Sequence, residues 1–524
     1  MKVLFRVDAS QKMGTGHICR SLALAHALRA QGQDVAFVTR ALGLDSKGVV
    51  ESEGFRVIAT LPAPVSGAFT PDPTIPNSEW GEVPQDQDAA ETVMVARRWS
   101  PDWVVMDSYA FDARWHRDVA RGLGCAIAAI DDLADRTLDC NRVIDHTEAS
   151  DHRQKYRDVI DTAGTRVLGG PRFGLLSPAY ARAERYALSD AVRSIGVFMG
   201  GVDAGGHSLT ALQAIEAAGF KGPVEVVSTS ANPKLATLRQ AVLARPNSKL
   251  SLDRPDLADF FARHDVQIGA GGGASWERCC IGVPTLLVVV ADNQKPFAEA
   301  LSAKGVATLA EEPTTTAMAE ALSRLLEDTG KRRSLAANAR ALVDGRGAER
   351  VALALAARTL RVRPARRGDA RFMFDWRNDP ATRAVSIQNE PLSWEEHLAW
   401  LKQALRDPNR ALFVGEIGQR SVGVIRFDFE ASRPPLNRAE VSLYCDPDLR
   451  GLSIGPALLH AGEEAADPAV VEACIMEGNA ASQRLFAKAG YRQTEPTRWE
   501  KHRETARSDA SPAPSRCLAA TPGR

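Results

Sequence analysis

VLFRVDASQKMGTGHICRSLALAHALRAQGQDVAFVTR, from Val3 to Arg40, decides the fold of the first part of this chain. Its first eight residues form an apolar run that reads as a buried strand. Ile18, Leu22, Ala25 and Leu28 recur at helical spacing, Gly32 closes that helix, and DVAFVTR from Asp34 opens a second strand. The glycine turn at Gly14 and Gly16 therefore joins a strand to a helix N-terminus, where bare N–H groups and the positive dipole end favour an anion. His17 stands in that turn, where a neutral imidazole can take a proton from water. It could equally be a helix cap or a packed residue. Asp8, just ahead of the turn, either orients His17 or caps the turn.

The same alternation continues. DWVVMDSY (Asp102 to Tyr109) and CAIAAIDD (Cys125 to Asp132) read as buried parallel strands ending in acidic residues. In open α/β sheets ligands bind at that carboxyl edge. The polar, proline-rich stretch from Pro62 to Gln87 reads as a long surface loop. A second α/β half follows: SIGVFMGG (Ser194 to Gly201) runs into Gly200 and Gly201, DVQIGAGGG (Asp265 to Gly273) ends in another glycine turn, and TLLVVV from Thr285 is buried. The expected architecture is α/β, with two Rossmann-like halves (1–170 and 171–350) and a ligand site in the cleft between them. A separate α+β domain (361–502) and a disordered, Ala-, Ser- and Pro-rich tail (503–524) complete the chain.

Bulk composition narrows the partners. The 524 residues carry 65 Lys and Arg against 65 Asp and Glu, so no net charge draws the whole molecule to nucleic acid or an anionic membrane. No apolar run is long enough to span a bilayer and no leader precedes the first strand, which points to the cytoplasm. The 8 Cys form no CxxC, so neither a disulfide framework nor a structural metal is expected. Oligomeric state is not readable.

Several residues of the second half suit a nucleotide. Glu277, in the first turn of its helix, can accept two hydrogen bonds from a ribose diol, or simply complement the helix dipole. Asn293 and Gln294 open the next helix; Asn293 could be a plain N-cap.

The set RVDAS…GTGH…R (Arg6 to Arg20), VVMDSY, AIDDLADR (Ala129 to Arg136), GGVD (Gly200 to Asp203) and GAGGGASWERCCIGVPTLLVVVADNQ (Gly269 to Gln294) resembles the UDP-sugar hydrolases of pseudaminic acid biosynthesis. These have the glycosyltransferase-B fold and act on UDP-2,4-diacetamido-2,4,6-trideoxy-β-L-altropyranose. The resemblance covers about 1–350. It implies that His17 is the general base on water and Glu277 the ribose-binding carboxylate. Gly14, Gly16, Arg20, Gly200, Gly201, Ser275, Asn293 and Gln294 would surround the substrate. It implies inversion at the anomeric carbon and no metal. His146-Thr147 departs from the amide residues expected after that strand.

RGLSIGPA (Arg450 to Ala457) and GNAASQRLFAKAGY (Gly478 to Tyr491) resemble the GNAT N-acetyltransferases. That resemblance, over about 361–501, implies acetyl-CoA held by Arg450, Gly451, Ser453 and Gly455 and by the Asn479 helix. Ser453 replaces a usual glycine, and Phe486 stands where a tyrosine acid is common. Glu440 is the expected base for the acceptor amine, with Glu477 behind it, or else a surface strand carboxylate. The expected product is one bifunctional chain: a 4-N-acetyltransferase followed by a hydrolase. The alternatives are a UDP-sugar glycosyltransferase, or a hydrolase carrying a non-catalytic acetyl-CoA-binding module.

Overall fold

The computed structural model describes residues 1–65, 69–291, 294–430 and 437–503. The expected tail, from residue 504 on, lies outside the described residues. The chain divides into two units, Met1–Ala356 and Ala357–Arg524.

The first unit holds two parallel sheets. The first is built from β1 (Lys2–Val7), β2 (Asp34–Arg40), β3 (Arg56–Leu61), β4 (Trp103–Asp107), β5 (Ala126–Ile130), β6 (Arg142–Asp145) and β7 (Arg166–Gly169), in the order β3-β2-β1-β4-β5-β6-β7. The second comprises β8 (Ile195–Phe198), β9 (Val224–Ser228), β10 (Ser248–Leu252), β11 (Val266–Ala270), β12 (Thr285–Val288) and β13 (Thr308–Ala310), in the order β10-β9-β8-β11-β12-β13. Both are doubly wound, the strand order reversing beside the first strand of each. These strands are near-continuous runs of Val, Ile, Leu and Ala because helices cover both sheet faces. Val3, Leu4, Phe5 and Val7 of β1 are all wholly buried.

Reversal of strand order brings distant residues together. Val7, the last residue of β1, is in register with Asp107, the last of β4. Both chains leave the sheet at the same crevice, one into the GTGH turn and one into Ser108-Tyr109. The helix Gly16–Ala30 that follows the turn is buried at Ile18, Leu22, Ala23, Leu24, Ala25 and Leu28, on more than the single stripe its spacing implied. The reason is a second cover: the helix Gly347–Ala356, buried at every residue but Glu349, returns from the second half and packs on it and on Pro171–Phe173. Glycine is required at 347, since a Cβ there would lie 2.3 Å from the Gly174 carbonyl oxygen.

The stretch from Pro62 to Gln87 is not a loop throughout. Ser78–Trp80 forms a helical turn and the helix Gln85–Ala96 begins inside it. Asp88 of that helix is fully buried between Arg6 and Arg40.

The second unit is one sheet of β14 (Arg361–Pro364), β15 (Arg410–Ile417), β16 (Arg420–Phe429), β17 (Arg438–Cys445), β18 (Val470–Cys474), β19 (Arg492–Gln493) and β20 (Arg498–His502). Its order is β14-β15-β16-β17-β18-β20-β19, antiparallel except for β17 and β18. That parallel pair is in register only at residues 438 to 440 of β17, after which the strands part. The helix Ile454–Ala466 covers one face, with Gly462 against Ile425 and Phe427. The helices Ala370–Asn378 and Trp394–Ala404 pack on the other through Met373, Trp376, Leu401 and Val424.

Candidate functional site

Asp107 is the centre of the first half's crevice. Its side chain is completely buried at the end of β4 and is held by three groups from the helix after the glycine turn. His17 Nδ1 lies 2.6 Å from one carboxylate oxygen. Arg20 Nε donates to the other at 2.8 Å, and Ser21 Oγ donates to it at 3.1 Å. The spacing 17, 20, 21 puts all three on one helix face. Arg20 and His17 together outweigh burial and hold the Asp107 carboxyl below the usual carboxylate range. With Nδ1–H donated to Asp107, the lone pair of His17 sits on Nε2, the tautomer a general base needs. His17 is itself only 6% exposed, so its proton acceptor is reached through the crevice alone.

Beyond Arg20 the network continues. Tyr109 stacks edge-on against His17 at 4.9 Å, accepts from Arg20 at 3.2 Å, and donates to Asp132 at the end of β5. His146, just after β6, has Nε2 3.9 Å from Asp132. Burial, then the Arg20 charge, lower its pKa and favour the neutral imidazole. Three successive strand ends, β4, β5 and β6, thus deliver Asp107, Asp132 and His146 to one edge.

Asp8 does not orient His17. Its carboxylate accepts from Arg6 NH1 and from the Arg40 backbone N–H, both at 2.6 Å, so it joins the buried Arg6–Asp88–Arg40 network instead. Asp107 occupies the position beside the imidazole. An acidic residue ending a buried parallel strand was the available signal for it.

In the second half the helix Ala274–Ile281 starts directly at the turn Gly271–Gly273, with no side-chain cap. Gln294 faces that turn, its Cβ 3.6 Å from where a Gly271 Cβ would stand. Asn293 lies outside the described residues. Gly200, with φ +101°, turns the chain out of β8, and Thr229 donates to the Gly201 carbonyl at 2.6 Å. Glu277 is half-buried and hydrogen-bonded to Tyr180, whose hydroxyl also accepts from Leu257 N–H. Burial prevails over Tyr180 and Arg278, and pushes the carboxyl up to about 6. The same carboxylate, after burial, helps push the Cys19 thiol up to about 11. Cys19 sits two residues past His17, so the two glycine-turn helices face one cleft. Lys304 and Glu148, 2.8 Å apart, pin its rim. The Ser275 hydroxyl is buried, accepting from Arg278 NH2 at 3.0 Å, and its backbone N–H donates to the Gly272 carbonyl at 2.9 Å.

In the second unit, Gly451 and Ser453 both have positive φ, +82° and +66°, ahead of the helix Ile454–Ala466. Such a loop turns backbone N–H groups toward one concavity. Gly455 permits close approach, a Cβ there meeting Leu485 at 2.6 Å. The Arg450 side chain is turned away from the loop, onto Asp379 and Thr382, and its backbone N–H donates to the Pro447 carbonyl at 3.4 Å. Asn479 caps its helix by accepting from Ser482 N–H at 3.1 Å. Glu440 is the last residue of β17 paired with β18, at the apex of the splay. It lies beside Asp428 and Glu472 on one sheet face. Arg410 and Arg426 neutralise Asp428, and Arg438 neutralises Glu472, whereas Glu440 makes no side-chain bond among the described residues. Phe486 is buried edge-on against Tyr491, whose hydroxyl is committed to Glu463 at 2.6 Å.

Comparisons with known proteins find relatives for both units. Residues 359–492 match the acetyltransferase (GNAT) domain family. The second unit is a GNAT domain. Over 199 residues the chain is 31% identical to the spore coat polysaccharide biosynthesis protein SpsG of Bacillus subtilis, covering 37% of this chain and 59% of that relative's length. Solved structures similar to it include MurG of Acinetobacter baumannii (14% identity, TM-score 0.46, 67% of this chain and 98% of that one). Others are S. aureus MnaA with UDP (12%, 0.47, 68% and 96%) and the UDP-GlcNAc 2-epimerase of Neisseria meningitidis bound to UDP-GlcNAc (14%, 0.47, 68% and 99%). Among the described residues no group of His, Cys, Asp and Glu could hold a metal ion, and no helix is long and apolar enough to cross a membrane.

Removing the Asp107 carboxylate strands Arg20 as a buried cation. Asp107→Ala is expected to cost about 3–5 kcal/mol in urea unfolding of the full chain. The folded pKa of Asp107 lies below its unfolded value. Its contribution is therefore complete above about pH 4 and is lost as pH falls further, through the folded value. The stability gap between wild type and Asp107→Asn is expected to close on acidification below that point.

Proposed function

We propose that the first unit hydrolyses a UDP-linked 2,4-diacetamido-2,4,6-trideoxy sugar, and that the GNAT domain acetylates the 4-amino group of its precursor. The observation that carries the hydrolase reading is the His17–Asp107 pair, set at one sheet's switch point across a cleft from the second sheet's glycine turn. In this reading His17 Nε2 takes a proton from water as the water oxygen attacks the anomeric carbon. The anomeric C–O bond breaks on the opposite face and its electron pair leaves with UDP, giving inversion. The departing charge is met by the N–H groups of Gly272 and Gly273 and the helix dipole, so no strong acid is required. Glu277 accepts from the ribose diol. The likeness to SpsG, a spore coat polysaccharide biosynthesis protein, supports a role in making a surface sugar.

For the acetyltransferase, acetyl-CoA is a co-substrate whose pyrophosphate suits the backbone of 450–455, with two left-handed residues in front of a thirteen-residue helix. The free Glu440 carboxylate, at the point where β17 and β18 part, would take the proton of the acceptor amine. Acetylation comes first and hydrolysis second. The reaction partners are UDP-amino sugars, and the chain is expected to work in the cytoplasm.

His17→Asn is expected to slow UDP release from the diacetamido substrate by about 10²-fold or more, without loss of fold. Near-normal turnover would remove His17 from the chemistry. Product analysis by NMR separates the free sugar of a hydrolase from the glycoside of a transferase.

Ribose binding by Glu277 needs the carboxylate ionised, so uridine affinity is expected to weaken as pH falls through about 6. Uridine has no phosphate to titrate in that range, and Glu277→Gln should flatten the profile. A flat wild-type profile by calorimetry leaves Glu277 as a helix-end charge.

Glu440→Gln is expected to slow thiol release from acetyl-CoA in the presence of the UDP-4-amino sugar, while acetyl-CoA affinity stays within about twofold, because a base acts on the amine. Absence of thiol release in the wild-type chain would leave the domain as a binding module.

A further inference from the structure

Arg278 follows the proposed ribose ligand Glu277, yet its side chain points the other way, beneath the glycine turn. It is 1% exposed. One of its nitrogens, NH2, donates to the Ala270 carbonyl at 2.7 Å and to Ser275 Oγ at 3.0 Å, tying the end of β11 to the first turn of the helix. Nε and NH1 are buried without a hydrogen-bond partner. The guanidinium is wedged so closely under the strand that a Cβ on Gly269 would lie 2.3 Å from NH1. Its remaining company is the Phe261 ring at 5.8 Å. Among the described residues Arg278 makes no ion pair, and burial lowers its pKa to about 10. Of the other buried arginines of the first unit, Arg6 and Arg40 each bond directly to Asp88, whereas Arg332 is held by the backbone carbonyls of Leu325, Leu326 and Asp190.

A buried cation with no directly bonded carboxylate is costly, even with Glu277 near enough to favour its charge, and such costs are retained where a ligand removes them. We infer that Arg278 is a positioning residue whose buried charge, held under Gly271–Gly273, supplies the positive potential that selects a diphosphate over an uncharged nucleoside at that turn. The inference rests on the reading that this turn receives a nucleoside diphosphate. Arg278 does not touch the ligand. It acts through the low-dielectric interior below the loop and through the Ala270 carbonyl it fixes, adding to the bare N–H groups of the helix end.

A structural strut and a charge reserve predict opposite stabilities for Arg278→Met, which keeps much of the volume and removes the charge. The charge reserve predicts that the ligand-free full-length protein melts at the wild-type temperature or above it, since the uncompensated charge is gone. UDP affinity by calorimetry is then expected to fall about ten- to thirty-fold while uridine affinity stays within about twofold. Arg278→Lys, which keeps the charge, is expected to retain most of the preference for UDP over uridine. A lower melting temperature or failure of Arg278→Met to fold, an unchanged ratio of UDP to uridine affinity, or a ratio lost equally in Arg278→Lys would each overturn the proposal. A wild-type chain that binds neither UDP nor uridine would take down the nucleotide reading as well, which distinguishes that failure from the failure of Arg278 alone.

Discussion

The hydrogen-bonded Asp107 carboxylate is what the first half's crevice depends on. A wholly buried carboxylate at a strand end is unfavourable alone. Here it is saturated by His17, Arg20 and Ser21, all from the one helix that starts at the glycine turn. The pair therefore does two things. It fastens the helix to the sheet at the switch point, and it fixes which nitrogen of His17 carries the proton. Because Arg20 also reaches Tyr109, and Tyr109 reaches Asp132, the orientation of the imidazole is linked to residues from two strand ends. Rotating His17 away would expose a buried ion pair as well as lose a hydrogen bond, so the base is held by far more than its own contact.

The two sheets reach the cleft with the same strand order but opposite chemistry. The first sheet's edge is dense in ionisable side chains. The second presents glycines and backbone, with a helix that has no capping side chain and a buried arginine below it. Such a division suits a substrate with one reacting bond and one charged handle. Proton transfer needs a titratable group with a controlled tautomer, whereas a diphosphate is best met by fixed N–H dipoles that close backbone approach allows. Side chains at 271–273 would keep a phosphate off the backbone. Carboxylates like those of the first edge would repel it.

Much of this was legible in the sequence because strand and helix periods are local. The alternation of buried runs with amphipathic helices marks both halves, and glycine turns mark both switch points. The parts that were not legible depend on tertiary pairing. The stretch from Pro62 to Gln87 reads as a loop, yet its last three residues open the helix Gln85–Ala96, because Asp88 finds Arg6 and Arg40 in the core. Sequence proximity favoured Asp8 as the partner of His17; Asp107, ninety residues on, is nearer in space since β1 and β4 are neighbours in register. The resemblance to the UDP-sugar hydrolases placed Ser275 around the substrate. The side chain turns inward because Arg278, one helical turn on, needs its hydroxyl. Asp132 and Tyr109 were visible only as a strand's acidic end and an aromatic neighbour.

The departures in the GNAT domain follow the same logic of backbone against side chain. Ser453 takes a left-handed conformation, φ +66°, where a side chain costs about 1 kcal/mol or more relative to glycine. The serine is held there because the residues on either side are fixed: Leu452 and Ile454 are buried, and Gly455 lies hard against Leu485. The loop's N–H groups are thus aimed by packing, and the identity of residue 453 matters less than the conformation it is forced to adopt. The Phe486 departure is of another kind, since no backbone group can replace a lost hydroxyl. The nearby Tyr491 hydroxyl is bound to Glu463, which Lys501 also holds at 2.7 Å, so it cannot be released without stranding a buried carboxylate. Nor is the Tyr444 phenol readily ionised: burial raises its pKa despite the pull of Arg377 and Arg426, which keeps it protonated on the sheet face that Glu440 shares.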